Sequence, residues 1–76
     1  MQELASAELR EAWVEELGIA GELDCDGLRA SLRDKGLKAK GPDRKHEIRN
    51  IHSAAMIDPR IVKLRPGVFG LAKGRR

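Results

Sequence analysis

The chain has 76 residues and a mass of 8.4 kDa, and 41% of its residues are hydrophobic and 36% charged. This length is enough for one small core and excludes two domains. A single cysteine excludes an internal disulfide, and no run approaches the roughly 20 apolar residues of a membrane span, so we expect neither a membrane partner nor a signal peptide.

Charge is distributed unevenly along the chain. Residues 1–26 carry eight acidic residues and one arginine, which gives −7, whereas residues 27–76 carry 14 basic and four acidic residues, which gives +10. These two values sum to the net charge of +3. Such asymmetry predicts a basic working surface on the second part of the chain, and a polyanion is the partner that it favours.

The first predicted element is a helix within residues 4–17. Apolar residues recur there at the three- and four-residue spacing of one helix face: Leu9, Ala12, Trp13, Leu17 and Ile19. Ser6 with Glu8 is the start signal, and Gly18 stands where a C-terminal cap is expected.

A connector or a very short strand follows at residues 20–23, and then a second helix is predicted. Asp24 or Asp26 begins this helix, and Gly36 ends it. Its inward side chains are predicted to be Leu28, Leu32 and Ala30. Residues 37–41, with two lysines and a closing glycine, are predicted to form a loop.

The third predicted helix begins at Pro42-Asp43 and runs to about residue 56, before Asp58-Pro59. Its buried stripe is predicted to be Ile48, Ile51 and Ala55. The opposite face is then basic and rich in hydrogen-bonding groups: His46, Arg49, Asn50 and Ser53, flanked by Lys45, His52 and Met56.

The end of the chain has the period of β structure. Residues 61–64 and 68–71 are short apolar runs around an Arg-Pro-Gly turn, which predicts a hairpin. Alternation places Val62 and Leu64 on one face, and Phe69 and Leu71 on a face that can meet them. Residues 73–76 are predicted to be a basic, disordered tail.

The predicted fold class is mostly α with a small β-hairpin. Three helices followed by a two-stranded wing are the element order of a winged helix-turn-helix, here one domain over residues 1–72. The stretch from residue 28 to residue 72 resembles the HARE-HTH group of winged-helix domains, above all in Asp58-Pro59-Arg60-Ile61-Val62-Lys63-Leu64 and Pro66-Gly67-Val68-Phe69-Gly70-Leu71. This resemblance implies a module that binds DNA or acts as an adaptor in transcription or chromatin, and it does not imply an enzyme.

A helix in the major groove needs donors for base edges and phosphates on its exposed face. Arg49 is predicted to reach guanine and Asn50 adenine. The remaining predicted contacts, mostly to phosphate, come from the helix, the preceding loop and the wing: Lys45, His46, Ser53, Lys38, Lys40, Lys63 and Arg65. Double-stranded DNA is therefore the predicted partner, in the cytoplasm on the nucleoid or in the nucleus.

Other interpretations compete with DNA binding. The charged face of the third helix is also typical of a solvated surface, and Lys63 with Arg65 is typical of a protected sheet edge. The main alternative is an adaptor that binds protein through the acidic first helix or the hairpin. Binding of RNA or single strands is disfavoured because exposed aromatic residues are scarce.

Catalysis and metal binding have little support in the sequence. No serine stands in an arrangement with a base and an orienting acid, and no phosphate-cradling loop occurs. His46 and His52 are six residues apart and do not share a helix face. Cys25 lies between two aspartates, which raises its pKa and disfavours a reactive thiolate. We therefore expect no enzyme activity, no cofactor, no metal and no small-molecule substrate.

Overall fold

The computed structural model describes residues 1–72. The elements in chain order are β1 (Gln2–Leu4), α1 (Ser6–Ala20), β2 (Glu22–Asp24), α2 (Cys25–Asp34), β3 (Leu37–Ala39), α3 (Arg44–Ile57), β4 (Ile61–Arg65) and β5 (Val68–Leu71). This is a small α/β domain with the three helices and the hairpin strands that the sequence predicts. The predicted tail at residues 73–76 lies outside the described part of the chain.

The β structure is more extensive than the single predicted hairpin. β2, β5 and β4 form an antiparallel sheet in that order, and β1 pairs in parallel with β3 as a second, two-stranded sheet. The prediction of a loop over residues 37–41 is therefore wrong for residues 37–39. Residues 22–24 form the very short strand that was one of the two alternatives predicted there. Each of these strands has three residues and pairs with a distant segment, so no local pattern marks it.

The core joins α1 to α3 and to the sheet. The Trp13 indole Nε1 donates a hydrogen bond to the Ile51 carbonyl at 2.8 Å, which satisfies the polar atom of a fully buried ring. Its ring meets Phe69 edge-to-face, with centroids 5.4 Å apart. Leu28 and Leu32 of α2 are also fully buried in this cluster. The predicted apolar stripes therefore converge on one core.

The end of α1 lies later than predicted. Helix α1 continues through Gly18, and Gly21 ends it with a φ of +86°, its N–H donating to the Leu17 carbonyl at 2.8 Å. Only a residue without a Cβ adopts that φ readily, which is why Gly21 and not Gly18 is the stop. Ile19, predicted on the inner face, is 75% exposed, and Ala30 of α2 is also exposed.

The hairpin presents different faces from those predicted. Ile61 and Phe69 face the core, whereas Val62 and Leu64 are on the outer face and exposed. The register of β4 and β5 explains this orientation, because it pairs Val62 with Gly70 and so places Gly70 on the outer face. A Cβ at Gly70 would lie 2.8 Å from Leu64 Cδ1, so this glycine leaves the space that the Leu64 side chain fills.

Candidate nucleic-acid interface

The start of α3 is fixed by a side-chain cap. Asp43 is the N-cap, and its Oδ1 accepts a hydrogen bond from the His46 backbone N–H at 3.0 Å. The His46 ring Nδ1 lies 2.8 Å from the same oxygen. The His46 N–H and ring together lower the pKa of Asp43. Pro42 therefore precedes the cap instead of occupying the first helical turn.

The outer face of α3 carries the residues predicted from its period. His46, Arg49 and Ser53 are exposed, as is the flanking Lys45, and Asn50 is half-buried. Toward the end of the helix the same side becomes apolar, since Met56 and Ile57 are 56% and 59% exposed. The polar and basic character is thus confined to the first ten residues of α3, 44–53.

Asn50 connects this face to the end of β3. Its Nδ2 donates a hydrogen bond to the Lys40 backbone carbonyl at 2.6 Å. This bond holds Lys40 beside the middle of α3. An asparagine amide has a second N–H and a carbonyl oxygen with acceptor capacity, so the bond leaves part of the Asn50 side chain for another partner.

Most cationic side chains of residues 1–72 are paired within the fold. Five pairs join a base of the second part of the chain to an acid of the first 26 residues: Lys35–Glu16, Lys38–Glu3, Arg44–Asp26, Arg60–Glu11 and Arg65–Glu22. Folding therefore brings the acidic and basic parts of the sequence together, and much of the charge asymmetry along the chain is compensated in space.

Only four of the twelve lysines and arginines among the described residues have no carboxylate partner: Lys40, Lys45, Arg49 and Lys63. The first three occupy α3 and the strand end held beside it by Asn50, and we refer to them as the basic patch. Lys63 stands on β4, in the hairpin. A polyanion would find its strongest attraction at the basic patch, since these charges are not neutralised locally.

Two other predicted contact residues have partners inside the domain. Lys38 Nζ donates to the Gly41 carbonyl at 2.8 Å and lies 3.5 Å from Glu3 Oε2. Arg65 is bonded to the Glu22 carboxylate through both terminal nitrogens, and these hydrogen bonds raise the pKa of Arg65. Neither side chain belongs to the basic patch.

Sequence reasoning missed two buried carboxylates that position α3. Glu47, on the inner side of the helix, accepts from Arg29 Nε and Arg33 Nη2 of α2, both at 3.1 Å. Its exposed fraction is only 2%. The sequence spacing does indicate this burial, because Glu47 lies four residues before the buried Ile51 and therefore shares its helix face.

Asp58 is the second buried carboxylate and follows the last turn of α3. Its Oδ2 accepts from Arg60 Nη2 at 2.8 Å and from Arg10 Nε of α1 at 3.1 Å, and its Oδ1 accepts from the Arg60 N–H. These hydrogen bonds, those of Arg60 foremost, hold the pKa of Asp58 well below its usual range. The Asp-Pro-Arg segment thereby ties the end of α3 to α1.

A depression of about 140 Å³ opens beside the polar half of α3. Six side chains line it: Leu4, Ser6, Leu9, Lys40, Asn50 and Ser53. Three of these are predicted DNA contacts, and the other three come from β1 and α1. The depression is therefore part of the same surface as the basic patch.

Cys25 is the one cysteine of the chain, and its thiol is free and partly buried. Burial, with smaller contributions from Asp24 and Asp26, raises the pKa of Cys25 to about 11, so the thiol carries little thiolate at neutral pH. The described side chains contain no cluster of three metal-ligating residues. None of the helices in this part of the chain is long and apolar enough to cross a membrane.

Comparison of the chain with protein-family models, with curated proteins and with solved structures finds no match. The resemblance to the HARE-HTH group therefore stays a prediction.

Proposed function

We propose that the chain is a winged-helix domain that binds double-stranded DNA, with α3 in the major groove and the β4–β5 hairpin as the wing. The order of three helices and an antiparallel hairpin supports the winged-helix assignment. So does the resemblance of residues 28–72 to the HARE-HTH group. Lys63, on the hairpin, reaches a neighbouring phosphate in this arrangement.

The dimensions of α3 suit the major groove. A groove about 12 Å wide and 8.5 Å deep admits one helix, and ten helical residues span about 15 Å. The polar residues of α3 lie within such a segment, residues 44–53, and the exposed Met56 and Ile57 lie beyond it. The first half of the helix therefore enters the groove, in the manner of helix-turn-helix proteins.

The position of the unpaired cations carries this proposal. Three of the four lie in the basic patch, whereas cations elsewhere in residues 1–72, apart from Lys63, face a carboxylate. Lys45 and Arg49 share one face of α3, and Lys40 lies beside it. Phosphate contacts explain this arrangement, since each neutralised phosphate releases a counterion.

Two neighbouring residues of α3, Arg49 and Asn50, contact the base edges. The exposed Arg49 guanidinium can donate two hydrogen bonds to guanine O6 and N7. Asn50 retains its Oδ1 and one N–H after bonding to Lys40, which is the pair of groups that adenine N6 and N7 require. Lys40 and Lys45 hold phosphates on either side.

A matched pair of arginine variants tests the proposal. We expect Arg49→Gln to weaken binding to a 16-base-pair duplex at least tenfold at low salt, measured by fluorescence anisotropy. Arg65→Gln removes the same charge from a residue that pairs with Glu22, and we expect less than a twofold change. Equal losses in the two variants would show that net charge alone drives binding, and no loss for Arg49→Gln would remove α3 from the contact.

The adaptor alternative is favoured by a different surface. An apolar depression of about 400 Å³ lies between the end of α1 and the outer face of the sheet, lined by Leu17, Gly18, Gly21, Leu64, Gly70, Leu71 and Ala72. The exposed Leu64 contributes to it. A protein partner would use this surface better than the acidic side of α1, because Glu11 already pairs with Arg60 and Glu16 is buried.

NMR shift mapping separates the two functions. Shifts on residues 40–53 upon addition of duplex DNA support the DNA-binding proposal. A set of shifts confined to residues 17–21 and 62–72, seen only with a protein partner, supports the adaptor.

A further inference from the structure

The depression beside α3 combines an apolar floor with a polar rim. Leu4 of β1 and Leu9 of α1 are 8% and 2% exposed and provide its apolar surface. Four polar residues complete the lining, Ser6, Ser53, Asn50 and Lys40. Their side chains carry two hydroxyl groups, one amide and one ammonium group. Lys40 has no carboxylate partner among residues 1–72, so its charge is available to a ligand.

Size limits what this depression can hold. An apolar cavity of about 150 Å³ accommodates one benzene ring. The volume here, about 140 Å³, therefore matches a single six-membered ring, and the two fused rings of a purine would extend beyond it. The rim supplies donors and acceptors at the edge of such a ring, and Lys40 supplies a positive charge beside it.

We propose that this depression binds one unpaired pyrimidine base of the DNA that α3 contacts, an assignment that rests on the proposed function. The ring packs against Leu4 and Leu9. Its polar edge receives hydrogen bonds from the Ser6 and Ser53 hydroxyls. Lys40 binds the phosphate of the same nucleotide.

The base must be unpaired because a stacked base presents only its edge in the groove. The ring face becomes accessible to side chains once the nucleotide leaves the stack, which costs least where the base has no partner. Leucine side chains can receive such a ring without the aromatic platforms of single-strand binding proteins. The scarcity of exposed aromatic residues therefore does not exclude this mode of binding.

A set of labelled duplexes tests the assignment by fluorescence anisotropy with the full chain. The duplexes are identical except at one central position, which is fully paired or carries a single-nucleotide bulge of thymine, adenine or an abasic unit. We expect the thymine bulge to bind at least tenfold tighter than the abasic bulge, which has the same length and charge but no base. The adenine bulge should gain less than threefold over the abasic one.

Two α1 variants locate the effect. Ser6→Phe fills the depression from its rim, and Ser6 is exposed and is not among the residues proposed to contact paired DNA. We expect this variant to lose the thymine preference while its affinity for the fully paired duplex stays within twofold. Ala7→Phe adds the same ring one residue further along, at an exposed position outside the depression, and should retain the preference.

The outcomes distinguish the two proposals. Binding of paired duplex that depends on Arg49, with equal affinity for thymine and abasic bulges, would overturn the pocket assignment and leave the DNA-binding proposal standing. A thymine preference that survives Ser6→Phe would also overturn it. Failure to bind any of the four duplexes would overturn the DNA-binding proposal and the pocket assignment with it.

Discussion

Glu47 and Arg49 are two residues apart on α3 and point to opposite sides of the helix. The Glu47 carboxylate is buried between Arg29 and Arg33, whereas the Arg49 guanidinium is exposed and has no carboxylate partner among residues 1–72. The Glu47 charge thus attaches α3 to α2 on one side of the helix, whereas the Arg49 charge is exposed to solvent on the other side. Stability and binding should therefore respond to different substitutions.

Substitution of Glu47 should destabilise the fold. Glu47→Gln leaves two arginines without the carboxylate that they share, and breaking a buried ion pair costs about 3–5 kcal/mol. Because Arg29 and Arg33 are partly exposed, we expect a smaller loss, about 2 kcal/mol, in the free energy of unfolding by urea at pH 7. The exposed Glu15 is the control, and Glu15→Gln should change this value by less than about 0.5 kcal/mol.

Measurement of DNA affinity distinguishes the stabilising role of Glu47 from the proposed binding role of the basic patch. The folded Glu47→Gln protein retains the basic patch, so its affinity for duplex DNA, measured well below the melting temperature, should stay within about threefold of the original. A loss of stability and affinity in proportion would contradict this separation.

The salt dependence of DNA affinity should identify which lysines contact phosphates. Each phosphate contact contributes about −0.9 to the slope of log K against log salt concentration. Lys45→Gln should therefore reduce the slope by about 1. Lys38→Gln removes a cation that already bonds to the Gly41 carbonyl and lies near Glu3, and the slope should change by less than about 0.3.

The internal pairs of Lys38 and Arg65 reduce the expected number of phosphate contacts. If five or six of the predicted basic residues contacted phosphates, the slope would be about −4 to −6. With Lys38 and Arg65 bound internally and Arg49 assigned to a base, the three remaining unpaired cations of residues 1–72, Lys40, Lys45 and Lys63, contribute about −3. Equal slope changes for Lys38→Gln and Lys45→Gln would mean that DNA breaks the internal pair of Lys38.

Acid should destabilise the domain through Asp58. Hydrogen bonds from Arg60 and Arg10 lower its pKa in the folded state, whereas the unfolded chain has an ordinary aspartate pKa of about 3.9. The stabilisation by Asp58 is therefore complete above about pH 4–5 and is lost as the pH falls toward the lowered folded pKa, because the unfolded state then binds more protons.

The measurement is the free energy of unfolding by urea between pH 7 and pH 2. Asp58→Asn should be less stable at pH 7 and should lose less stability on acidification than the original chain. Glu11, whose pKa is lowered by the same Arg60 guanidinium, is exposed, and Glu11→Gln should flatten the profile less. Parallel profiles for the original chain and Asp58→Asn would show that other groups control acid unfolding.

Alanine substitutions at the two glycines near the end of α1, Gly18 and Gly21, should change the stability of the domain in opposite directions. Neither Gly18 nor Gly21 has a heavy atom within 4 Å of an added Cβ, so backbone conformation alone decides the outcome. Gly18→Ala should stabilise the domain by about 0.5–1 kcal/mol, since Gly18 lies within α1. Gly21→Ala should destabilise it by about 1–2 kcal/mol, because the φ of +86° is unfavourable for alanine.

Thermal unfolding followed by circular dichroism measures both changes. The same sign for the two variants would place the end of α1 elsewhere.

Features with a local signal were predictable from the sequence. The spacing of Trp13 and Leu17 marks the buried face of α1, and the spacing of Arg49 and Ser53 marks the outer face of α3. Helix period and capping residues act over three or four positions, so a single sequence contains them. Register across a hairpin is less local, and the outward position of Leu64 was accordingly predicted wrongly.

Features that depend on distant partners were not predictable. Arg65 was expected to reach DNA, but it binds Glu22, which lies 43 positions earlier. Lys38 likewise bonds within the domain to Gly41 and Glu3. Charge along a chain does not reveal which cations the fold neutralises, and that information decides which cations a ligand can meet.

The strand order also has a consequence for synthesis of the chain. β2 is complete at residue 24, yet its partner β5 begins at residue 68, and β1 at the start of the chain must wait for β3. Non-local pairings of this kind slow folding, because the intervening chain must be closed into a loop first. On the ribosome, the three-stranded sheet can close only after Leu71 has left the exit tunnel, so until then Trp13 lacks its edge-to-face contact with Phe69.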